Sequence, residues 1–180
     1  MILPDLTLVS PTPELMADVL RWRNHPDVTR WLLRTTVDPE QYTQAWLDSV
    51  TDPLDHSSIA LLDGRAVATA SLEVGDGSGQ YGYEADFERV EGLLGYLVDP
   101  AYVGRGIATV IASALLDLAF DELGLRRVTA GCFADNVASW RVMEKVGMRR
   151  EQHGVADSWH TEHGWVDGYQ YAILADERRS

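Results

Sequence analysis

The chain has 180 residues, 46% of them apolar, which suits one domain with a sizeable core and excludes a disordered segment. Its 28 acidic against 15 basic residues give a formal net charge of −13; this excludes nucleic acid and anionic membrane as partners, and fits either solubility or the attraction of a cationic substrate. No run approaches the roughly 20 apolar residues that cross a bilayer, the start MILPDLTLVSPTPE lacks the basic region of a signal peptide, and the lone Cys132 excludes an intrachain disulfide, so a cytoplasmic setting is expected.

In chain order, Leu6 to Val9 alternates as a first strand. Ser10 or Thr12 can cap a helix over Pro13 to Arg23, with Leu15, Val19, Leu20 and Trp22 near helical spacing. His25-Pro26 breaks it, and Val28 to Leu33 suggests a second, short helix. Asp38-Pro39-Glu40 opens a third, because an N-cap followed by proline is a helix start. Ser58 to Leu62 and Ala66 to Val74 read as a hairpin turning at Asp63-Gly64. After a polar loop from Gly75 to Arg89, Val90 to Val98 is a strand and Gly104 to Leu123 a helix. Leu125 to Cys132 is a further strand, and Asn136 to Val146 a helix ended by Gly147. Met148 to Val155 and Trp165 to Leu174 close the chain as strands. With no repeat, low-complexity tract or linker, residues 1–180 read as one α+β domain.

The segment GYLVDPAYVGRGIAT, from Gly95 to Thr109, carries the chemistry. An apolar strand stops at Asp99-Pro100, a loop with Gly104 and Gly106 follows, and a long apolar helix begins at once. Backbone N–H groups at a helix N-terminus lack intrahelical partners and carry partial positive charge, and glycines let the chain approach a bulky anion. The order is that of a phosphate or pyrophosphate seat. A dinucleotide fingerprint fails, because the third glycine is missing and Asp121 and Glu122 fall on the helix instead of ending a strand. A Walker loop fails for want of G-K-S/T.

A second segment runs from Asp135-Asn136-Val137-Ala138-Ser139 to Glu144-Lys145-Val146-Gly147-Met148. Asn136 and Ser139 are three apart at a helix start and can share a face. Together the two segments resemble the GNAT family of acetyl-CoA-dependent N-acyltransferases, most closely its ribosomal-protein-alanine N-acetyltransferase branch. The family's loop pattern, Q/R-x-x-G-x-G/A, falls on Val103, Gly104, Arg105, Gly106, Ile107 and Ala108. Its N-x-x-S and E-K-x-G-F/M words fall on Asn136, Ser139, Glu144, Lys145, Gly147 and Met148, and Trp22-Arg23-Asn24-His25-Pro26-Asp27-Val28 and Trp46-Leu47 also look like this branch. Two positions depart from it. Val103 cannot donate to a phosphate as Gln or Arg would, and Met143 stands where many relatives carry a tyrosine that protonates the leaving thiolate.

The resemblance implies a central mixed, mostly antiparallel sheet of about seven strands with helices on both faces and a splay between the fourth and fifth strands. It implies acetyl transfer from acetyl-CoA to a primary amine, of a small molecule or a protein N-terminus, by direct attack in a ternary complex. Pyrophosphate is expected on Gly104, Arg105, Gly106, Ile107, Ala108 and Thr109, beside Val103, and the pantetheine arm along Leu97 and Val98, with Asn136 and Ser139 completing the site. Arg105 is either a charge donor or a solvated arginine. Glu91, on the face of Leu93, is the expected general base or else a solvated strand-end carboxylate. Ser139 is the expected proton donor to the thiolate, capping or cofactor binding being its other roles. A backbone N–H near Leu97 or Val98 is the expected oxyanion donor.

A non-catalytic acyl-CoA-binding module, or a transferase of another acyl group such as succinyl, stays open. So does a homodimer, since relatives are often dimers. No metal is expected: His153, His160 and His163 lack a ligand motif, and His160 and His163 with Trp159 suit a substrate-side loop.

Overall fold

Short polar side chains start the helices where the sequence places them. In the computed structural model, which describes residues 5–178, Thr12 accepts from the Leu15 N–H and opens α1 (Pro13–Arg23). The expected helix over Val28 to Leu33 is displaced: α2 is a single turn, Pro26–Thr29. His25-Pro26 thus starts a helix as well as ending one, since proline is at home at the first helical position and His25 Nδ1 accepts from the Asp27 N–H. Asp38 caps α3 (Pro39–Ser49) through the Gln41 N–H at 2.9 Å, a bond worth about 1 kcal/mol.

The strands are β1 (Leu6–Val9), β2 (Ser58–Leu62), β3 (Arg65–Gly75), β4 (Glu91–Val98), β5 (Arg127–Phe133), β6 (Arg149–His160) and β7 (Gly164–Leu174). Asp63 and Gly64 join β2 to β3 with positive φ of 51° and 75°, as a tight hairpin of right-handed twist requires. The sheet order is β1-β2-β3-β4-β5-β7-β6, and every neighbouring pair is antiparallel except β4 and β5. This is the mixed, mostly antiparallel sheet the resemblance implies. The last hairpin is longer than the sequence suggests: β6 continues past Val155 to His160, through irregular pairing around Arg150 and between Gly154 and Ser158.

The parallel pair is joined by α4 (Ile107–Asp117), whose last turn widens into a π-helical turn over Leu118–Glu122. Then come α5 (Val137–Lys145), after β5, and α6 (Ala175–Arg178). Ile107, Ile111, Leu115 and Leu116 of α4 pack with Met143 of α5 and the following Val146 on Ala70, Leu72, Leu94 and Val128 of the sheet. On the opposite face Met16, Val19 and Trp22 of α1 and Val28 of α2 pack on Ile59 and Ala66. Neighbours such as Ile59 and Ala60 feed different cores, as a pleated strand covered on both faces demands.

One irregularity positions the site. β3 pairs with β4 along its whole length, from Glu91 to Val98, but β5 pairs with β4 only at Glu91, Gly92 and Leu93. Beyond Leu93 the two parallel strands separate. The closed end is tight: a Cβ on Gly92 would lie 2.8 Å from Leu72 Cδ1 and 3.1 Å from Leu125 Cδ1. The open end leaves one edge of Leu94 to Val98 without a strand partner.

Candidate active site

At the end of β4, Asp99 caps a short 3-10 turn (Pro100–Tyr102) through the Ala101 N–H and brings the chain to the glycine loop. Gly104 and Gly106 take φ of +78° and +82°, a conformation L side chains rarely adopt. Gly106 is the N-cap of α4 and offers no side chain to the helix start. Thr109 and Val110 donate to the Gly106 carbonyl, but the backbone N–H groups from 103 to 108 donate to no described residue. A run of such amides at the head of an 11-residue helix is an anion seat. The residues therefore fit a pyrophosphate group. Val103 is exposed and adds no donor. Arg105 folds back on its own loop, donating to the Ala101 carbonyl at 3.3 Å and lying over the Tyr102 ring.

The gap beside β4 leads from this seat toward α5. Antiparallel pairing with β3 uses alternate backbone groups of β4, so the other set in Leu94 to Val98, around Leu97 and Val98, faces the gap. Across it stand Asn136 and Ser139. Asn136 Oδ1 accepts from the Ser139 N–H at 3.2 Å, so its carbonyl is the cap of α5, while its amide N–H groups stay available. Tyr96 reaches from β4 over the gap: its phenol donates to the Ser139 carbonyl at 2.9 Å and lies 3.2 Å from Ser139 Oγ. Burial pushes this phenol up to about 12 and the nearby Cys132 thiol up to about 11. Both therefore stay protonated, and three hydroxyl or thiol groups line the buried side of the gap. Met143 is buried in the core beneath α5 and takes no place there.

The structure does not bring Glu91 to this cluster. Glu91 sits in the closed part of β4, where its carboxylate accepts from Arg126 at 2.7 Å and lies 3.4 Å from Arg127 Nε. Its lone pairs are committed, and the open strand begins beyond Leu93. Glu91, expected as the general base, is instead held in an ion pair that fastens β4 to the start of β5.

On the other face of β4 a cavity of about 280 Å³ opens beside Leu97, against α1, α3 and β3. Tyr42, Trp46, Asp55 and Glu73 are among its lining. Its outer wall is the segment from Leu32 to Arg34, and the Trp22-Arg23-Asn24 word explains why that segment lies there. Arg23 donates to the Arg34 and Thr35 carbonyls at 2.8 and 3.1 Å, and Asn24 bonds both backbone groups of Val37. His160, buried at the end of β6, adds a bond of 2.7 Å to the Arg30 carbonyl and packs on Trp31 and Phe133. It is thus a latch on the wall, while His163 stacks on it and Trp159 pairs with Trp165 at the exposed hairpin tip. His153 is held by Asp167 at 2.6 Å.

The sequence points to the loop, Asn136 and Ser139 but gives Tyr96 no part in the site. Nor does it mark Asp55 and Glu73 as pocket carboxylates. The signal for Tyr96 was its position within the strand that feeds the glycine loop.

Comparison with known proteins agrees with this geometry. The model of the acetyltransferase (GNAT) domain matches residues 5–149. A Bacillus subtilis protein described as an uncharacterized N-acetyltransferase, YnaD, is 39% identical over 84 residues, 47% of this chain and 49% of that protein. The chain thus spans about half the length of the curated relatives it matches first. Among solved structures, spermidine N-acetyltransferase from Vibrio cholerae, in complex with CoA and spermine, superposes with a TM-score of 0.81 at 14% identity, over 98% of this chain and 99% of that one. Ribosomal-protein-S5-alanine acetyltransferase from Vibrio fischeri gives 0.74 at 18% identity, over 95% and 92%. The family model covers most of the chain: the chain belongs to the GNAT family of acetyltransferases.

Proposed function

We propose that the protein is an acetyl-CoA-dependent N-acetyltransferase acting on a primary amine, of a small molecule or a protein N-terminus. One observation carries the reading: the unpaired edge of β4 connects an anion seat at Gly104 to Ala108 with a hydroxyl pair, Tyr96 and Ser139, at the gap. Bound acetyl-CoA would supply the thioester that is the acetyl source. The amides of the glycine loop would hold its pyrophosphate, and the free backbone groups around Leu97 and Val98 would pair with its amide-bearing arm as an added strand does. A β4 N–H facing the gap would stabilise charge on the carbonyl oxygen, and the Ser139 hydroxyl would give a proton to the departing sulfur. Asn136 would donate its side-chain amide to the same arm. A cytoplasmic setting rests on the single thiol, and a homodimer on the resemblance alone.

Calorimetry with CoA, joined to detection of free thiol from acetyl-CoA over a panel of amines, tests the reading. The expected result is micromolar binding and amine-dependent release of thiol. Tight binding with no turnover on any amine would favour an acyl-CoA-binding module, and turnover only with succinyl-CoA would change the acyl group.

A further inference from the structure

Resting on that reading, we infer that the cavity beside Leu97 is the acceptor site, that Glu73 is its proton acceptor, and that the acceptor is an amine carrying an oxygen acceptor nearby, not a polycation. Sheet register places Glu73. It lies opposite Leu93 on β3, diagonal to Gly95, and Ser71 lies opposite Gly95 itself. Ser71, Glu73 and Leu97 all line the cavity, so this face of the sheet meets β4 where the strand leaves β5. Gly95 presents bare backbone there, since a Cβ would lie 2.7 Å from Ser71 Oγ. An amine at Glu73 therefore faces the open strand through a window without a side chain. The Glu73 carboxylate makes no hydrogen bond or ion pair with any described residue, in contrast to Glu91. Asp55, bridged to Glu73 across the backbone, accepts from the Ser57 N–H and adds a second negative charge.

The same cavity is also lined by cations. Arg23 is 4% exposed, and its Nε–H, buried among the lining residues, donates to nothing. Its other N–H groups hold the Arg34 and Thr35 carbonyls, so Arg23 brings a fixed positive charge to the cavity, which favours an electron-rich oxygen on a ligand. Arg34 lines the same cavity, exposed and without an ion pair to any described residue. Tyr42 and Trp46 add an apolar wall. Carboxylates and guanidinium groups lining one cavity fit an acceptor with an amine and a carbonyl or carboxylate a few atoms apart. A second amine on a polyamine would meet Arg23 and Arg34. In the reaction the acceptor ammonium gives one proton to Glu73, its nitrogen forms the bond to the acetyl carbon and sheds a second proton to solvent, the carbon–sulfur bond breaks, and the sulfur takes a proton from Ser139. Ser139 regains its proton from solvent, and Glu73 returns one to solvent.

The test measures thiol release by the full chain with glycinamide, propylamine, glycine, a glycyl peptide and spermidine. Expected is a kcat/KM at least tenfold higher for an oxygen-bearing acceptor than for propylamine or spermidine. Glycine against the peptide tells a free carboxylate from a chain carbonyl. Arg34→Gln, on the surface, narrows that preference several-fold. Glu73→Gln lowers kcat about 100-fold with CoA binding intact, and Glu73→Asp restores part of it. Preference for spermidine, or Glu73→Gln turnover within twofold of the natural protein, overturns this assignment while leaving acetyl transfer standing. Tight CoA binding with no thiol release on any amine overturns acetyl transfer itself, and this assignment with it.

Discussion

Tyr96 Oη lies 3.2 Å from Ser139 Oγ, so hydroxyls from β4 and α5 meet over the gap that the parallel strands leave open. The phenol also donates to the Ser139 carbonyl, which fixes the first turn of α5 relative to β4. At the position where many relatives place a tyrosine, Met143 is core. Tyr96 and Ser139 bring two hydroxyls together over the gap instead.

This relationship predicts that Ser139→Ala lowers kcat about 100-fold and leaves the KM for acetyl-CoA within a few-fold. Tyr96→Phe, which keeps the ring in its packing, lowers kcat about tenfold, and the double variant loses little beyond Ser139→Ala because the two act as a unit. Because burial holds the phenol near 12, Tyr96 adds no alkaline limb to the rate profile below pH 10. Steady-state kinetics of the three variants decide it, and full turnover in Ser139→Ala would remove the hydroxyl from the mechanism.

The glycine loop makes a separate prediction about binding. Gly106→Ala forces an L residue to φ near +82°, at a cost of about 1–2 kcal/mol. Since that strain falls on the amides that form the seat, the affinity for CoA drops about tenfold, as 1.4 kcal/mol implies, while the KM for the amine is unchanged. A Cβ at Gly104 meets nothing within 4 Å, so Gly104→Ala carries strain without a clash and tests conformation alone. Calorimetric titration with CoA reads both.

Glu91 separates two roles in one experiment. As the ion-pair partner of Arg126 and Arg127, its loss weakens the closed end of the β4–β5 pair. Glu91→Gln is expected to lower stability by about 1 kcal/mol, as partly exposed pairs do, and to keep kcat within twofold. A drop in turnover by about two orders of magnitude, with thermal stability unchanged, would return Glu91 to the role of base.

Much of the fold was legible because local chemistry set it. Thr12 and Asp38 start helices by capping, and Asp63-Gly64 turns a hairpin whatever surrounds it. Gly147 ends α5 with φ of +91°. The anion seat was legible for the same reason, since its parts are contiguous in the chain. The partners of Glu91 were not legible because neighbours along a strand say nothing about what lies across it: Arg126 and Arg127 arrive at the start of the parallel strand β5 after a whole crossover. Glu73 and Asp55 were missed because register, not spacing, brings them beside Gly95. The motif residues Arg23, Asn24 and Glu144 turned out to hold structure. The first two clamp the cavity wall, and Glu144 accepts from Tyr171 in the core.

The latch at His160 predicts a selective effect on the acceptor. His160→Phe keeps ring packing on Trp31 and Phe133 but removes the bond to the Arg30 carbonyl, a net loss of about 1 kcal/mol. The wall from Leu32 to Arg34 loosens, so the KM for the amine rises several-fold while that for acetyl-CoA stays. Equal effects on both constants would mean that the hairpin acts on the whole sheet.

Alkali gives the last prediction, and its sign follows from burial. Desolvation raises the Cys132 thiol from 9.0 to about 11 and the Tyr96 phenol from 10.0 to about 12, against ordinary values in the unfolded chain. Below pH 9 both states hold these protons, and stability does not depend on them. Between pH 9 and 12 the unfolded chain releases them first, so it binds fewer protons than the folded one and stability falls as pH rises. Urea unfolding at pH 8.5 and 10.5 is expected to show a loss of about 1–2 kcal/mol, discounted for the partly exposed thiol. Cys132→Ala and Tyr96→Phe each flatten that dependence. The same shift keeps Cys132 a thiol at pH 8, so iodoacetamide alkylates it at about 1% of the rate of an unshifted thiol until urea unfolds the chain. Rapid alkylation of the folded protein would place a thiolate, not a thiol, beside Ser139.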